Sequence, residues 1–297
     1  MKKWINAFRL RTLPLAFSCI IVGSGLALED GQFNLTVTVL AFVTTLFLQV
    51  LSNLANDYGD FVKGTDNDNR VGPQRALQSG EISEPQMKTA MIIVGLLSAV
   101  SGVWLIVEGT AGLNPVLVAL FSVLGLSAIA ASVKYTVGKN AYGYAGFGDL
   151  FVLLFFGWTG VLGSYFLNAH YLYWELILPA TAIGFFSAAV LNINNMRDHV
   201  EDEKAGKITL AVRLGIKNAK RYHFMLNLSG ILLMIAFVIP KPTAIWFLLF
   251  GFVLFIKPSK KILQSDDYES FDPFLKKQAM GTFLFSLLSM LVLYVSE

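Results

Sequence analysis

The sequence has one cysteine, Cys19, and three histidines, His170, His199 and His223. A single cysteine excludes an intramolecular disulfide and a cysteine-based metal cluster. Inside an apolar run it reads as a small buried hydrophobe. The histidines are too scattered to form a ligand set, and His199 faces away from its neighbour Asp198 at helical spacing. Charge is scarce too. Asp, Glu, Lys and Arg make up 14% of the 297 residues, where a soluble domain carries roughly 25%. With 55% hydrophobic residues and a mean hydropathy of +0.60, the composition is that of an integral membrane protein. No GxGxxG or GxxxxGK segment occurs, so neither glycine-rich phosphate loop is present. No nucleic-acid-binding motif occurs either, and membrane topology accounts for the basic residues. The first apolar run has a basic flank but no small-residue cleavage site, which favours a span over a signal peptide.

What the chain has is apolar runs of membrane length, about 20 residues each. The candidate spans are Leu13–Leu28, Leu35–Asn56, Ala90–Val107, Pro115–Val133, Phe147–Phe166, Leu176–Asn195, Phe224–Ile239, Thr243–Ile256 and Ala279–Val295. The expected fold is therefore all-α: nine transmembrane helices in one bundle, forming a single domain over residues 1–297. If the N-terminus is cytoplasmic, 22 of the 23 lysines and arginines fall on the cytoplasmic side, with Lys241 the exception. That asymmetry is the signature of positive-inside topology and favours an odd number of spans. Trp4, Ala7 and Phe8 read as an amphipathic entry helix at the interface. Ser83 and Gln86 read as a reciprocal helix cap, and Gly215 as the stop of a short helix from Thr209.

Two polar stripes interrupt the apolar runs. Gln49, Asn53, Asn56 and Asp60 follow four-three-four spacing, with Asp57 at the edge of the same face; Asn192, Asn195, Asp198 and Asp202 follow three-three-four spacing. Residues so spaced share one helical face. An aspartate in mid-bilayer costs roughly 2.5–3.5 kcal/mol on insertion scales, so intramembrane acids point to function. A single stripe could be a hydrogen-bonded helix seam. Two stripes ending in acids on helices of the same sense fit the lining of one cavity better. Clustered carboxylates need a counter-charge, and Mg²⁺ bridging to a phosphorylated ligand would supply it. Lys63, Arg70, Arg75, Lys134, Lys139 and Lys207 are then candidates for the remaining phosphate charge. The stretch KYTVGKNAYGYAGFGD, Lys134–Asp149, is either an ordinary connection or a hinged rim over a cytoplasm-facing cavity. Gln49, Asn192 and Tyr135 are the candidates for lining that cavity or contacting an acceptor.

The segments NDYGD (Asn56–Asp60) and RDHVED (Arg197–Asp202) resemble the two aspartate-rich motifs of the UbiA superfamily of intramembrane prenyltransferases. The longer stretches LSNLANDYGDFVKGTD from Leu51, VGPQRALQSG from Val71, YTVGKNAYGYAGFGDLFVLLFFG from Tyr135 and NNMRDHVEDEKAGKITLAVRLG from Asn194 resemble its bacterial 1,4-dihydroxy-2-naphthoate polyprenyltransferase branch. The resemblance runs over the whole chain. It implies a cavity open to the cytoplasm and to lipid, in a bacterial inner membrane, and Mg²⁺ as cofactor. It also implies a polyprenyl diphosphate donor and 1,4-dihydroxy-2-naphthoate as acceptor. Asp57, Asp60, Asp198 and Asp202 become the catalytic acids, and Asn53, Asn56, Asp66 and Asn195 join them around the metal. Lys63, Arg70, Arg75, Lys139 and Lys207 would hold the diphosphate. Many relatives carry a further acid where this chain has Gly64, and Asp66 lies two residues on. Sister enzymes for 4-hydroxybenzoate or homogentisate share these motifs. From the polar stripes alone, a secondary transporter remains a competing reading.

Overall fold

The computed structural model describes residues 2–66, 71–239 and 244–295. A short helix α1 (Lys2–Phe8) leads through a 3-10 turn (Leu10–Thr12) into α2 (Leu13–Glu29). Then come α3 (Leu35–Val62), α4 (Glu84–Gly109), α5 (Pro115–Lys134), α6 (Gly148–Ala169), α7 (Ile177–Lys204) and α8 (Leu210–Val238). The last two helices are α9, residues 244–264, and α10 (Asp272–Val295). Among the described residues, α2 (extended back to Lys3), α3 to α8 and α10 are long and apolar enough to cross a membrane, which makes eight. The chain is an all-α, multi-pass membrane protein.

Eight is one fewer than the nine spans expected. Of the segment Thr243–Ile256, Thr243 lies outside the described residues; the rest is helical, and its helix continues to Gln264 and carries Lys257, Lys260 and Lys261. Among the described residues its apolar stretch, 244–256, is too short to span a bilayer by itself.

Local chemistry explains the helix ends. Asn34 and Thr209 accept from the backbone N–H groups of Val37 and Val212, and Ser83 and Gln86 form the reciprocal box. Each satisfies amides that a helix start leaves open. Gly215 breaks α8 in a left-handed conformation (φ 70°), after which the helix resumes to Val238. The entry helix packs Trp4, Ala7 and Phe8 onto Val50, Leu51 and Leu54 of α3. It is therefore anchored to the bundle as well as placed at its edge. The two predicted spans that carry the stripes are longer than their apolar runs. α3 continues to Val62 and α7 to Lys204, so all four acids sit on unbroken helix.

The largest core cluster joins α2, α6, α7, α8, α9 and α10 around Phe186, Phe247, Phe255 and Phe285. Within α6 the stretch Leu153–Leu162 is a π-helix, a wide form often found at functional sites. Its Gly157 lies against α7 so closely that an added Cβ would meet the Ala180 carbonyl oxygen at 2.8 Å and the Gly184 Cα at 3.0 Å. The neighbour is backbone and cannot rotate away. Gly157→Ala should destabilise the detergent-solubilised protein by about 1–3 kcal/mol, the usual cost of overpacking. Thermal unfolding measures this, and an unchanged midpoint would mean that α6 and α7 separate without cost.

Candidate functional site

At the motif end of the bundle, α3 and α7 bring their acids beneath two connections, residues 135–147 and 205–209. The connections are zipped together. The Ile208 N–H donates to the Tyr144 carbonyl at 3.0 Å, and Arg213 donates to the Ala145 carbonyl at 2.8 Å. Lys207 is pinned by its own N–H to the Asp202 carbonyl at 2.7 Å. Its ammonium therefore reaches Asp60 at 3.8 Å and Asp202 at 3.5 Å. One acid of each motif thus shares a single cation. Tyr144 completes the cluster. Its hydroxyl lies 2.8 Å from Asp60 and 2.6 Å from the Thr65 hydroxyl. The Lys63 ammonium lies 3.7 Å above the ring, and that of Lys207 5.5 Å.

The other two motif acids turn elsewhere. Asp57 pairs with Arg9 of the entry segment and lies 3.4 Å from Arg75. Arg75 also lies 3.9 Å from buried Asp66. Asp198 is held by the neighbouring Arg197 through two bonds of 2.7 Å, and Arg197 reaches on to Asp272 of α10 at 2.6 Å. Asp198 still lines a small polar pocket with Asp60, Asp202, Arg75 and Lys207. Asp57 does not line that pocket.

The asparagines divide as well. Asn53 donates to the Phe8 carbonyl at 2.9 Å and to the Thr12 hydroxyl at 3.1 Å, and Gln49 donates to the same hydroxyl at 3.1 Å. Both therefore tether the entry turn. Asn56 lines the cavity beside Thr136. Asn192 and the Asn195 Oδ1 are buried with no hydrogen-bond partner among the described residues, as is the Asp202 Oδ2. Lys139 and Lys134 are exposed, outside the pockets. Tyr135 lines the cavity, its ring against that of Tyr142 with centroids 5.3 Å apart. Arg70 lies outside the described residues.

These placements set the charges. Burial alone would lower the Lys207 pKa, but Asp60 and Asp202 outweigh it and hold the ammonium well above its ordinary value. Lys63 shifts the other way. Burial lowers it, Asp60 partly opposes, and Lys207 lowers it further. Burial, and then the Asp60 carboxylate, raise the Tyr144 phenol, so it stays protonated as a donor.

A cavity of about 410 Å³ opens beside this cluster. Arg9, Arg11, Arg75, Arg197, Lys207 and Asp60 line its polar head, and Leu105, Phe121, Leu124, Phe155 and Leu167 its apolar body. The acids of the adjoining small pocket, Asp60, Asp198 and Asp202, offer oxygen donors, as a hard divalent cation requires. The bare Asp202 and Asn195 oxygens leave acceptor capacity free, and the Lys207 ammonium already stands where two carboxylates converge. The residues therefore fit such a cation. Among the described residues no three Asp, Glu, His or Cys side chains close on one point, so amide oxygens, water or a phosphate would have to complete its shell.

Several site residues escaped the sequence reading: Arg9, Arg11, Thr12, Tyr144, Arg197 and Asp272. In the sequence Arg9 counts only toward the basic N-terminal flank. Arg197 stood within the second motif, and its position before Asp198 was a usable signal. Tyr144 is one of three tyrosines in a stretch whose pattern fits a connection and a rim equally.

A model of the UbiA prenyltransferase family matches residues 16–292. The chain is 43% identical over 296 residues to the 1,4-dihydroxy-2-naphthoate octaprenyltransferase of Escherichia coli (strain K12), covering 99% of this chain and 96% of that protein. It is 46% identical over 256 residues to the protein of the same description from Haemophilus influenzae, covering 86% and 82%. Among solved structures it resembles a UbiA homolog from Archaeoglobus fulgidus bound to DMAPP and Mg²⁺, with a TM-score of 0.64, 18% identity and 99% of both chains covered. At that identity the likeness speaks for the fold.

Proposed function

The chain belongs to the UbiA prenyltransferase family, and from that premise we propose that it joins the prenyl chain of a polyprenyl diphosphate to 1,4-dihydroxy-2-naphthoate. The transfer depends on Mg²⁺ and takes place within the membrane. One observation carries the acceptor: the near-full-length identity to a 1,4-dihydroxy-2-naphthoate octaprenyltransferase. The cavity suits such a pair of substrates, because one continuous space has a charged head and an apolar body.

In this reading Asp60 and Asp202, with Asn195 and flanking Asp198 and Asp57, hold the metal. Asn53, Asn56 and Asp66 support that shell. When bound, Mg²⁺ neutralises the diphosphate so that it can depart. Lys207, Arg75 and Lys63 take up the remaining phosphate charge, with Lys139 and Arg70 assigned to the same task. Gln49 and Tyr135 face the acceptor side, whereas Asn192, expected there from its spacing, is buried outside both pockets. The apolar walls keep water from the allylic cation and align it with the ring. The ring carbon bearing the carboxylate attacks that cation. The new C–C bond forms as the C–CO₂⁻ bond breaks, and its electron pair returns to the ring. The products are demethylmenaquinol, CO₂ and diphosphate.

The same reading makes α9 a ninth span, sets the N-terminus in the cytoplasm, and places the single domain in a bacterial inner membrane. Basic-residue asymmetry supports this topology. In a Cys19→Ser background, Ser79→Cys should react with an impermeant maleimide only from the cytoplasmic side, and Ala111→Cys only from the other. Labelling of both from one side would reject this topology.

The acceptor assignment is tested with membranes holding this protein, a polyprenyl diphosphate and carboxyl-labelled 1,4-dihydroxy-2-naphthoate. One labelled CO₂ should leave per prenyl group transferred. Label retained in the lipid product, or consumption of 4-hydroxybenzoate alone, would overturn the acceptor while leaving prenyl transfer standing.

A further inference from the structure

The cation between the two motifs belongs to the protein itself. Lys207 is 7% exposed, yet it lines both the large cavity and the small polar pocket. Its ammonium lies 3.8 Å from Asp60 on α3 and 3.5 Å from Asp202 on α7. The Asp202 Oδ2 makes no hydrogen bond among the described residues, so the lysine does not saturate the acid it faces.

Backbone and side chain differ in freedom here. The Lys207 N–H is fixed to Asp202, and the next residue, Ile208, to Tyr144. Gly206 turns the chain with φ 72°, and Thr209 caps α8. The connection therefore holds the Lys207 Cα in place. The four-carbon stem beyond it has rotatable bonds and ends in a point charge, which needs no fixed geometry. The ring of Tyr144, 5.5 Å away, offers that charge an aromatic face along its path.

We propose that Lys207 is a built-in counterion. Its ammonium competes with the divalent metal for the position between Asp60 and Asp202, and on displacement turns to the donor diphosphate at the head of the cavity. This rests on the prenyl-transfer reading and adds an exchange to it. The lysine opposes metal binding by the free protein and favours binding of the donor. Two positive groups cannot share two buried carboxylates without repulsion, whereas an ammonium beside a phosphate forms a charge-assisted hydrogen bond. The exchange couples the two ligands, because the arriving metal frees the group that then binds the diphosphate.

The competition has a signature that a purely structural bridge lacks. Were Lys207 only a strut, its loss would strengthen metal binding and, with it, binding of a metal-requiring donor. Under exchange the two effects have opposite signs. Full-length protein in nanodiscs is titrated with Mn²⁺ and free Mn²⁺ is read by electron paramagnetic resonance, with no donor added. Relative to wild type, Lys207→Gln should bind Mn²⁺ roughly tenfold more tightly, given an ammonium this close to two carboxylates. At saturating metal its KM for the polyprenyl diphosphate should rise roughly tenfold. Lys207→Arg keeps the charge and should leave Mn²⁺ affinity within about twofold of wild type; it is the working check if the glutamine variant melts early. Asp202→Asn should weaken the Mn²⁺ site, which assigns the signal to this pocket.

Unchanged or weaker Mn²⁺ binding by Lys207→Gln would overturn the competition. Tighter Mn²⁺ binding with a lowered donor KM would reduce Lys207 to a strut and equally overturn the exchange. Failure of the underlying reading shows separately, as wild-type protein that binds Mn²⁺ but transfers no prenyl group.

Discussion

Asp60→Asn lowers prenyl transfer by about two to three orders of magnitude, the range seen when one preorganised electrostatic group is removed from an active site. The substitution keeps the shape and removes one charge. The asparagine oxygen still accepts from the Tyr144 hydroxyl, which now lies 2.8 Å from Asp60, and Lys207 still has Asp202 at 3.5 Å. Folding is therefore largely preserved, and the loss falls on turnover at saturating donor. Asp57→Asn has a different profile. Asp57 stands between Arg9 and Arg75, and its neutralisation removes the acid that the half-buried Arg9 guanidinium pairs with. Breaking one side of a buried pair costs roughly 3–5 kcal/mol, so this variant loses stability along with rate. Thermal unfolding and initial rates on the same preparations separate the two. Near-normal turnover of Asp60→Asn at saturating Mg²⁺ would remove Asp60 from the metal site.

The contrast between these acids also marks how far the sequence could be read. The apolar runs located α2 through α8 and α10, because hydrocarbon thickness demands about 20 residues of a span whatever its neighbours. The acid spacings placed Asp57, Asp60, Asp198 and Asp202 on continuing helices, because side-chain direction on a helix follows from periodicity alone. What periodicity cannot supply is the partner. Arg9 meets Asp57 across 48 residues of chain, and Asp272 meets Arg197 across 75. Both contacts depend on how α1 and α10 dock. Asn53 shows the same limit. It lies on the predicted polar face, but the entry turn comes close enough to take both of its donors. The extent of α9 was hidden for a different reason, since its helix runs on through lysines where the apolar run stops. The π-helical stretch of α6 sets Gly157 against Gly184, a contact between helices that no local pattern announces.

Chelation of the metal stops the reaction, with a fall of at least about a thousandfold, and the charges at the head of the cavity explain why. The cations there are already engaged with acids. Lys207 serves Asp60 and Asp202, Arg9 and Arg75 serve Asp57 and Asp66, and Arg197 serves Asp198 and Asp272. A polyanionic diphosphate entering beside these groups meets carboxylates as well as cations that those carboxylates already engage. Repulsion between close charges in a partly buried site amounts to several kcal/mol, and diphosphate is a poor leaving group until its charge is met. Membranes treated with EDTA should therefore neither release CO₂ from the naphthoate nor form prenylated product. Added Mg²⁺ or Mn²⁺ should restore both together. Ca²⁺ should restore less, because it prefers longer bonds and more oxygen ligands than a site of two carboxylates and an amide supplies. Transfer that persists through chelation would mean that the lysine and arginines carry the leaving group unaided, and the acids would then need another purpose.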